Sequence, residues 1–206
     1  MNKLEILKPF GPSIIKTKVD VDIIKKLNDY TELVAKDKNK LEELNAGKKL
    51  AGNVSQEFLI EKDVLQNSGW LQFIGNTLHE IVKLILNKEI KNININASWI
   101  VRQYENEYNP IHNHSGHFSG VAYLKVPSYL GENLKTHKEN KNGKLVFNHG
   151  TKTFLCNGVH NVSPKIGDFY IFPSYLMHSV YPFKNSKEER RSVSFNALID
   201  ENIFLK

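Results

Sequence analysis

Asn109-Pro110-Ile111-His112-Asn113-His114-Ser115-Gly116-His117-Phe118-Ser119-Gly120-Val121-Ala122-Tyr123-Leu124 is the stretch on which the fold turns. From Ile111 onward it reads as extended chain, and side chains two apart on a strand share a face. His112 and His114 therefore look the same way, as they must to present two imidazoles to one metal ion. A third imidazole is offered by His178, within Phe172-Pro173-Ser174-Tyr175-Leu176-Met177-His178-Ser179-Val180, expected on another strand of the same sheet. Two ligands close together and a third far along the chain make a facial site of the non-haem iron type, with open positions for substrate or oxygen. A single histidine is more often a surface or hydrogen-bonded residue, and the chain has eight. His79, His137, His149 and His160 are assigned that ordinary role.

Composition bounds the rest. With 206 residues, 40% of them hydrophobic and 24% charged, the chain has the make-up of an ordinary globular protein with one sizeable core, and no Pro/Ser/Gly-rich linker divides it. Residues 1–92 are expected to supply an extended segment and supporting helices, and 93–206 the β core, together one compact domain. No apolar run approaches the roughly 20 residues that span a bilayer. The N-terminus lacks the apolar core of a signal peptide, so a cytoplasmic location is the default expectation. Cys156 is the only cysteine, which excludes an internal disulfide and a thiolate zinc site. A metal here must be held by nitrogen and oxygen. The net charge of +6 invites a nucleic-acid reading, but the lysines are dispersed among glutamates and asparagines, as in 135–144, and nucleic acid is disfavoured as a partner.

Along the chain, 1–13 reads as extended and broken by Pro9, Gly11 and Pro12. Apolar spacing predicts a helix over 19–33 and a stronger one over 65–86 with Ser68 as N-cap, lying across the back of a sheet. The charge-rich 36–49 is expected to be a mobile connection. From Ile93 the pattern alternates, with strand candidates at 93–104, 120–126, 144–147, 151–156, 168–172, 178–182 and 191–199. Turn signals separate them, the first over 106–110. Helices first and many short strands afterwards indicate an antiparallel sandwich or barrel with helices on one face.

When Arg190-Arg191-Ser192-Val193-Ser194-Phe195-Asn196 is added to the three histidines, the sequence resembles the iron(II)- and 2-oxoglutarate-dependent oxygenases. It is most similar to a prolyl-hydroxylase-like branch with a His-x-His first motif, then Ser-Gly-Val and Tyr-Leu, and a late Phe-Pro-Ser followed by His. The likeness runs over about Trp99 to Ala197. It implies a mostly β chain with N-terminal helices, a double-stranded β-helix (jelly roll, cupin-like) with metal in its mouth. It also implies Fe(II), 2-oxoglutarate and O2 as cofactors, with His112, His114 and His178 as metal ligands. The far carboxylate of 2-oxoglutarate needs a buried cation and a hydroxyl to replace lost water. Arg190 and Ser192 match the family's Arg-x-Ser element for this purpose, and Arg191 would face the other way. Tyr123 corresponds to a tyrosine that bonds the same carboxylate in prolyl-hydroxylase-like relatives. Tyr104 is a second candidate, set against an equal reading as a core aromatic at the barrel rim.

The usual family site is His-x-Asp or His-x-Glu plus a distant histidine, and here His114 stands in the carboxylate's place. Three alternatives stay open: His117 replacing one of the pair, a carboxylate such as Glu105, Glu107 or Asp168 reaching the metal, or a site that binds metal without turnover. Halogenation is disfavoured, because a histidine would fill the room a halide needs. The expected activity is hydroxylation of a peptidyl or small-molecule substrate, in a protein that could pair as a homodimer. The rivals are a cupin-like three-histidine enzyme that does not use 2-oxoglutarate, and a non-catalytic jelly-roll binding protein.

Overall fold

Alternation along the long strands sets which residues face which layer, and it is cleanest at the C-terminal end of the chain. In Arg190–Ile199, the side chains of Val193, Phe195 and Ala197 enter the main core, while Arg190, Ser192 and Ser194 face a cavity on the other side. The computed structural model describes residues 3–7, 11–133, 135 and 138–203. Strands β1 (Glu5–Leu7) and β2 (Ile14–Lys18) open the chain, followed by helices α1 (Val21–Lys36) and α2 (Lys38–Glu43). Next come β3 (Gln56–Leu59), α3 (Lys62–Asn67) and α4 (Trp70–Leu86), and then eight strands. These are β4 (Ile93–Gln103), β5 (Asn109–His112), β6 (Phe118–Lys125), β7 (Leu145–Asn148), β8 (Val159–Val162), β9 (Asp168–Pro173), β10 (Met177–Val180) and β11 (Arg190–Ile199).

All pairings are antiparallel and form two sheets. The larger has the order β1-β2-β9-β6-β11-β4-β3 and the smaller β5-β10-β7-β8. From β4 onward consecutive strands alternate between sheets, except that β7 and β8 pair with each other in the smaller one, as in a double-stranded β-helix, and the three N-terminal strands extend the larger sheet at both edges. The helices cover the outer face of that sheet. Trp70, Ile74, Leu78, Ile81 and Val82 of α4 and Ile23, Leu27, Tyr30 and Val34 of α1 join Ile100, Ala122, Phe169, Val193 and Phe195 in one cluster. Trp70 sits against Phe169 and Phe195, with centroids 5.2 and 6.5 Å away, and its indole N–H donates to Ser98 Oγ at 3.0 Å. Arg191, turned to this side, is 1% exposed; it donates to Glu189, Glu32 and Asn28 and so ties α1 to β11. Burial would raise the Glu189 carboxyl, but hydrogen bonds from Arg191 and Arg102 outweigh it and hold it at about 2.

Gly120 lies where β6 passes under this aromatic cluster. A Cβ there would run into the Phe195 ring and lie 3.0 Å from both the Phe169 ring and the Tyr170 carbonyl oxygen. Gly120→Ala should therefore cost about 1–3 kcal/mol, the range for overpacking a core. That is a drop in melting temperature on the order of 5 °C, readable by thermal denaturation. An unchanged melting temperature would show that the layer is looser than these contacts imply.

Several local expectations are corrected. The helix over 65–86 is two, because Gly69 at φ 85° breaks it; Ser68 is not the N-cap, although its Oγ accepts from the Trp70 N–H at 3.3 Å. The connection over 36–49 contains α2, capped by the Asp37 carboxylate accepting from the Asn39 and Lys40 N–H groups. No strand forms over 151–156, where Phe154 and Leu155 are 91% exposed; β8 follows instead. Asn109 and Pro110 belong to β5 and not to a turn. Pro9 and His137 lie outside the described residues. Among the described residues no helix is long and apolar enough to cross a membrane.

Candidate metal centre

The two sheets face each other across a cavity, and the row of side chains that lines it is set by strand register. In the smaller sheet His112 of β5 is the direct cross-strand partner of His178 of β10, so both imidazoles leave the same face although 66 residues separate them. His114 follows just beyond the end of β5, its N–H donating to the Ser174 carbonyl at 2.9 Å. One ligand nitrogen from each of the three lies within 4.8 Å of the others. Ring centroids are 4.3 Å apart for His112 and His178, 4.9 Å for His112 and His114, and 5.0 Å for His114 and His178.

Backbone carbonyls set the tautomers of two rings. His112 Nδ1 lies 2.7 Å from the Pro110 oxygen and His178 Nδ1 2.8 Å from the Leu176 oxygen. Each Nδ1–H is thereby the donor, and each Nε2 keeps its lone pair for the centre, the usual way a protein orients a ligating imidazole. Burial lowers the pKa of all three rings, to about 4 for His114 and about 3 for His178. They are neutral at physiological pH and no proton competes for the lone pairs. Trp99 stands edge-on to His114 at 5.9 Å, and Phe172 edge-on to His178 at 4.8 Å.

The opposite wall comes from the larger sheet. Ser192 of β11 pairs with Val101 on one side and Tyr123 on the other, so all three share the cavity face. Arg190, two residues earlier, is 3% exposed; its guanidinium lies 5.4 Å from the Tyr123 ring centroid. Nη1 donates to the Gly143 carbonyl at 3.1 Å, while Nε and the Tyr123 hydroxyl, both buried, have no partner among the described residues. Burial lowers the Arg190 pKa and raises that of Tyr123. A cation and a hydroxyl group sharing one buried pocket with unused donors form a receptor for an anion.

His112, His114, His178, Arg190, Ser192 and Tyr123 are thus brought to one cavity. Tyr104 is not among its lining residues. It lies past the end of β4, in a separate surface groove beside Glu188 and Glu189, with the Arg102 guanidinium 5.7 Å from its ring. His117 points elsewhere too, its Nδ1 accepting from the Ile199 N–H at 3.0 Å. Nor do Glu105, Glu107 and Asp168 join the cluster: Glu107 accepts from the Ser55 and Tyr104 N–H groups, Glu105 from that of Asn185, and Asp168 pairs with Lys16 and Lys18. His79, exposed on α4, has its ring nitrogens 2.8 Å from the Gly75 and 3.1 Å from the Ile90 carbonyl oxygens.

Two residues escaped sequence reasoning. Asn109 lines the cavity beside His112. Behind it is Glu57 of β3, 3% exposed, whose carboxyl oxygens have no hydrogen-bond partner among the described residues. Burial pushes that carboxyl up to about 7, against an opposing pull from the neighbouring Asn109 amide.

The family model described as "Putative 2OG-Fe(II) oxygenase" matches residues 97–196. No curated protein matches the chain. Among solved structures, a prolyl-4-hydroxylase from Pseudomonas putida superposes with a TM-score of 0.57 at 18% identity, covering 90% of this chain and 91% of its own. A prolyl hydroxylase from Trichoplax adhaerens, in complex with a hypoxia inducible factor peptide fragment, gives 0.58 at 12% identity over 94% and 85%. HygX from Streptomyces hygroscopicus, with nickel and 2-oxoglutarate bound, gives 0.56 at 10% identity over 89% and 81%. These likenesses establish the jelly-roll fold. Over residues 97–196, close to half of its length, the chain is similar to the iron(II)- and 2-oxoglutarate-dependent oxygenases.

Proposed function

We propose that the cavity binds Fe(II) on His112, His114 and His178 and 2-oxoglutarate against Arg190, Tyr123 and Ser192, and that the protein hydroxylates a peptidyl or small-molecule substrate. The observation that carries this reading is the pairing of three converging neutral imidazoles with a buried guanidinium and phenol whose donors are unused. The metal and cosubstrate, when bound, supply the oxidising power drawn from O2 for attack on an unactivated C–H bond. The chain's own part is positional. His112 and His178 are pre-aimed by carbonyls, so little reorganisation accompanies metal uptake. Arg190 and Tyr123 give the far carboxylate charge-assisted hydrogen bonds in a buried site. Trp99, Phe172 and Val180 line the remaining wall with apolar surface, which keeps water from the reacting centre.

Three imidazoles leave the ion its full double charge, where a carboxylate would cancel part of it. The dianionic cosubstrate then offsets two of the three positive charges carried by the ion and Arg190, and binding it inside a buried site is favoured accordingly. The unused Arg190 and Tyr123 donors speak against an enzyme with no acidic cosubstrate. Relatives of this fold include one solved with a peptide and HygX with hygromycin B bound, so either substrate class fits such a cavity. Anaerobic titration of Fe(II)-loaded protein with 2-oxoglutarate should produce a visible charge-transfer band, followed by succinate release in air. Folded protein that takes up Fe(II) but gives no band would sink the 2-oxoglutarate assignment.

A further inference from the structure

The strand that carries His112 and leads directly to His114 is a weak one. β5 has four residues, lies at the edge of the smaller sheet, and meets β10 at only two register positions, His112 with His178 and Asn109 with Val180. Between them the register shifts: Pro110 and Ile111 oppose the single residue Ser179. This is a β-bulge, and Pro110 within it has no N–H to give to the ladder. The bulge lets Asn109 and His112 both face the cavity although they are three positions apart. A slip of one residue on such a strand would carry His112 to the outer face.

The segment leading into β3 grips the start of β5. Asn53 and Tyr108 exchange backbone hydrogen bonds of 2.8 and 3.3 Å, and the Ser55 N–H donates to Glu107 Oε1 at 3.0 Å. These ties hold the backbone ahead of the bulge, and inside it the contact is between side chains. Glu57 pairs in register with Val101, whose side chain lines the cavity, so the carboxyl is on the inner face as well. It faces the Asn109 amide over Gly52, where an added Cβ would fall 2.7 Å from Glu57 Oε1 and 2.8 Å from Asn109 Nδ2. Only a glycine leaves room for that approach. A buried carboxyl without a full hydrogen-bond partner lowers stability, so its presence here calls for a compensating role.

We propose that Glu57 is a positioning residue for the metal centre: acting through the Asn109 amide, it pins the bulged register of β5 and so turns His112 and His114 toward His178. The inference rests on the metal-site reading above. Its test compares Glu57→Leu, Glu57→Gln and Asn109→Ala by anaerobic titration with Fe(II) alone, alongside melting of the metal-free proteins. Glu57→Gln keeps a side chain that can accept from Asn109 and should bind Fe(II) within about threefold of the unmodified protein. Glu57→Leu should weaken Fe(II) binding at least tenfold, within the roughly 10–100-fold range for loss of an outer partner of a metal ligand. Its melting temperature should equal or exceed that of the unmodified protein, because a poorly partnered buried carboxyl has been replaced by an apolar group of similar size. Asn109→Ala should show the same weakening, and the double variant no more than either alone. Fe(II) affinity unchanged within about twofold in folded Glu57→Leu overturns the pin and leaves the metal site standing. A loss of affinity matched by a large fall in melting temperature also overturns it, since Glu57 would then be a general core residue. Unmodified protein that takes up no Fe(II) overturns both proposals at once.

Discussion

Arg190→Met should abolish measurable 2-oxoglutarate binding, weakening it by at least about a hundredfold, while Fe(II) uptake changes by no more than about threefold. Removing one partner of a desolvated charge pair costs about 2–5 kcal/mol, and about 3 kcal/mol is already more than a hundredfold in affinity. The unusual part of the expectation is stability. Arg190 is 3% exposed, donates from Nη1 to the Gly143 carbonyl alone, and leaves Nε unsatisfied. Without the dicarboxylate it is a buried cation with no carboxylate paired to it among the described residues, so a methionine of similar length should leave the melting temperature of the unliganded protein equal or higher. Saturating 2-oxoglutarate should stabilise unmodified protein by about 2.7 kcal/mol at a hundred times its Kd, and should not stabilise the variant. Anaerobic calorimetric titration with 2-oxoglutarate and paired melting curves measure both. If Arg190→Met binds the cosubstrate like the unmodified protein, the anion receptor is elsewhere; if neither protein binds it, the cupin-like reading without 2-oxoglutarate gains the ground.

How far the sequence carried depends on the range of the interaction. Period-two alternation is local, so the inward set Arg190, Ser192 and Ser194 and the outward Arg191 could be read from β11 alone. The convergence of His112 with His178 is a register fact between two distant four-residue strands, and no local pattern specifies it. Motif resemblance supplied it instead. The same limit hid Asn109, because a bulge is created by the pairing and Asn-Pro reads as a turn. Glu57 was hidden too: β3 is short, and an acidic residue at a buried position runs against every hydropathy rule. Tyr104 was misplaced although the information was there. Trp99 and Val101 face the cavity, so an even-numbered residue past the end of β4 is out of phase with them and turns to the Arg102 and Glu189 side. At 151–156, β-favouring side chains outweighed the lack of any face to bury, and Phe154 and Leu155 lie in a loop as a result.

His178→Ala is the second large expectation, and paired with His117→Ala it decides the ligand set. His178 has its ring wedged between Phe172 and Phe147, at 4.8 and 6.1 Å, with Nδ1 committed to the Leu176 carbonyl. It cannot swing out to be replaced by another side chain, and the two remaining imidazoles come from the end of one edge strand and the loop that follows it. Fe(II) affinity should therefore fall well beyond the roughly 10–100-fold that follows loss of an outer partner, to the point where anaerobic titration detects no stoichiometric uptake. Folding should survive: the truncation removes a polar ring with one backbone hydrogen bond, and melting of the metal-free variant reports whether the apolar neighbours hold. His117 sits in the same motif but spends Nδ1 on the Ile199 N–H, so His117→Ala should leave Fe(II) affinity within about twofold while lowering the melting temperature slightly through the unpaired N–H. The reverse pattern, uptake retained in His178→Ala and lost in His117→Ala, would mean that the loop after β5 refolds around the metal, and the facial arrangement drawn from β5 and β10 would have to be given up.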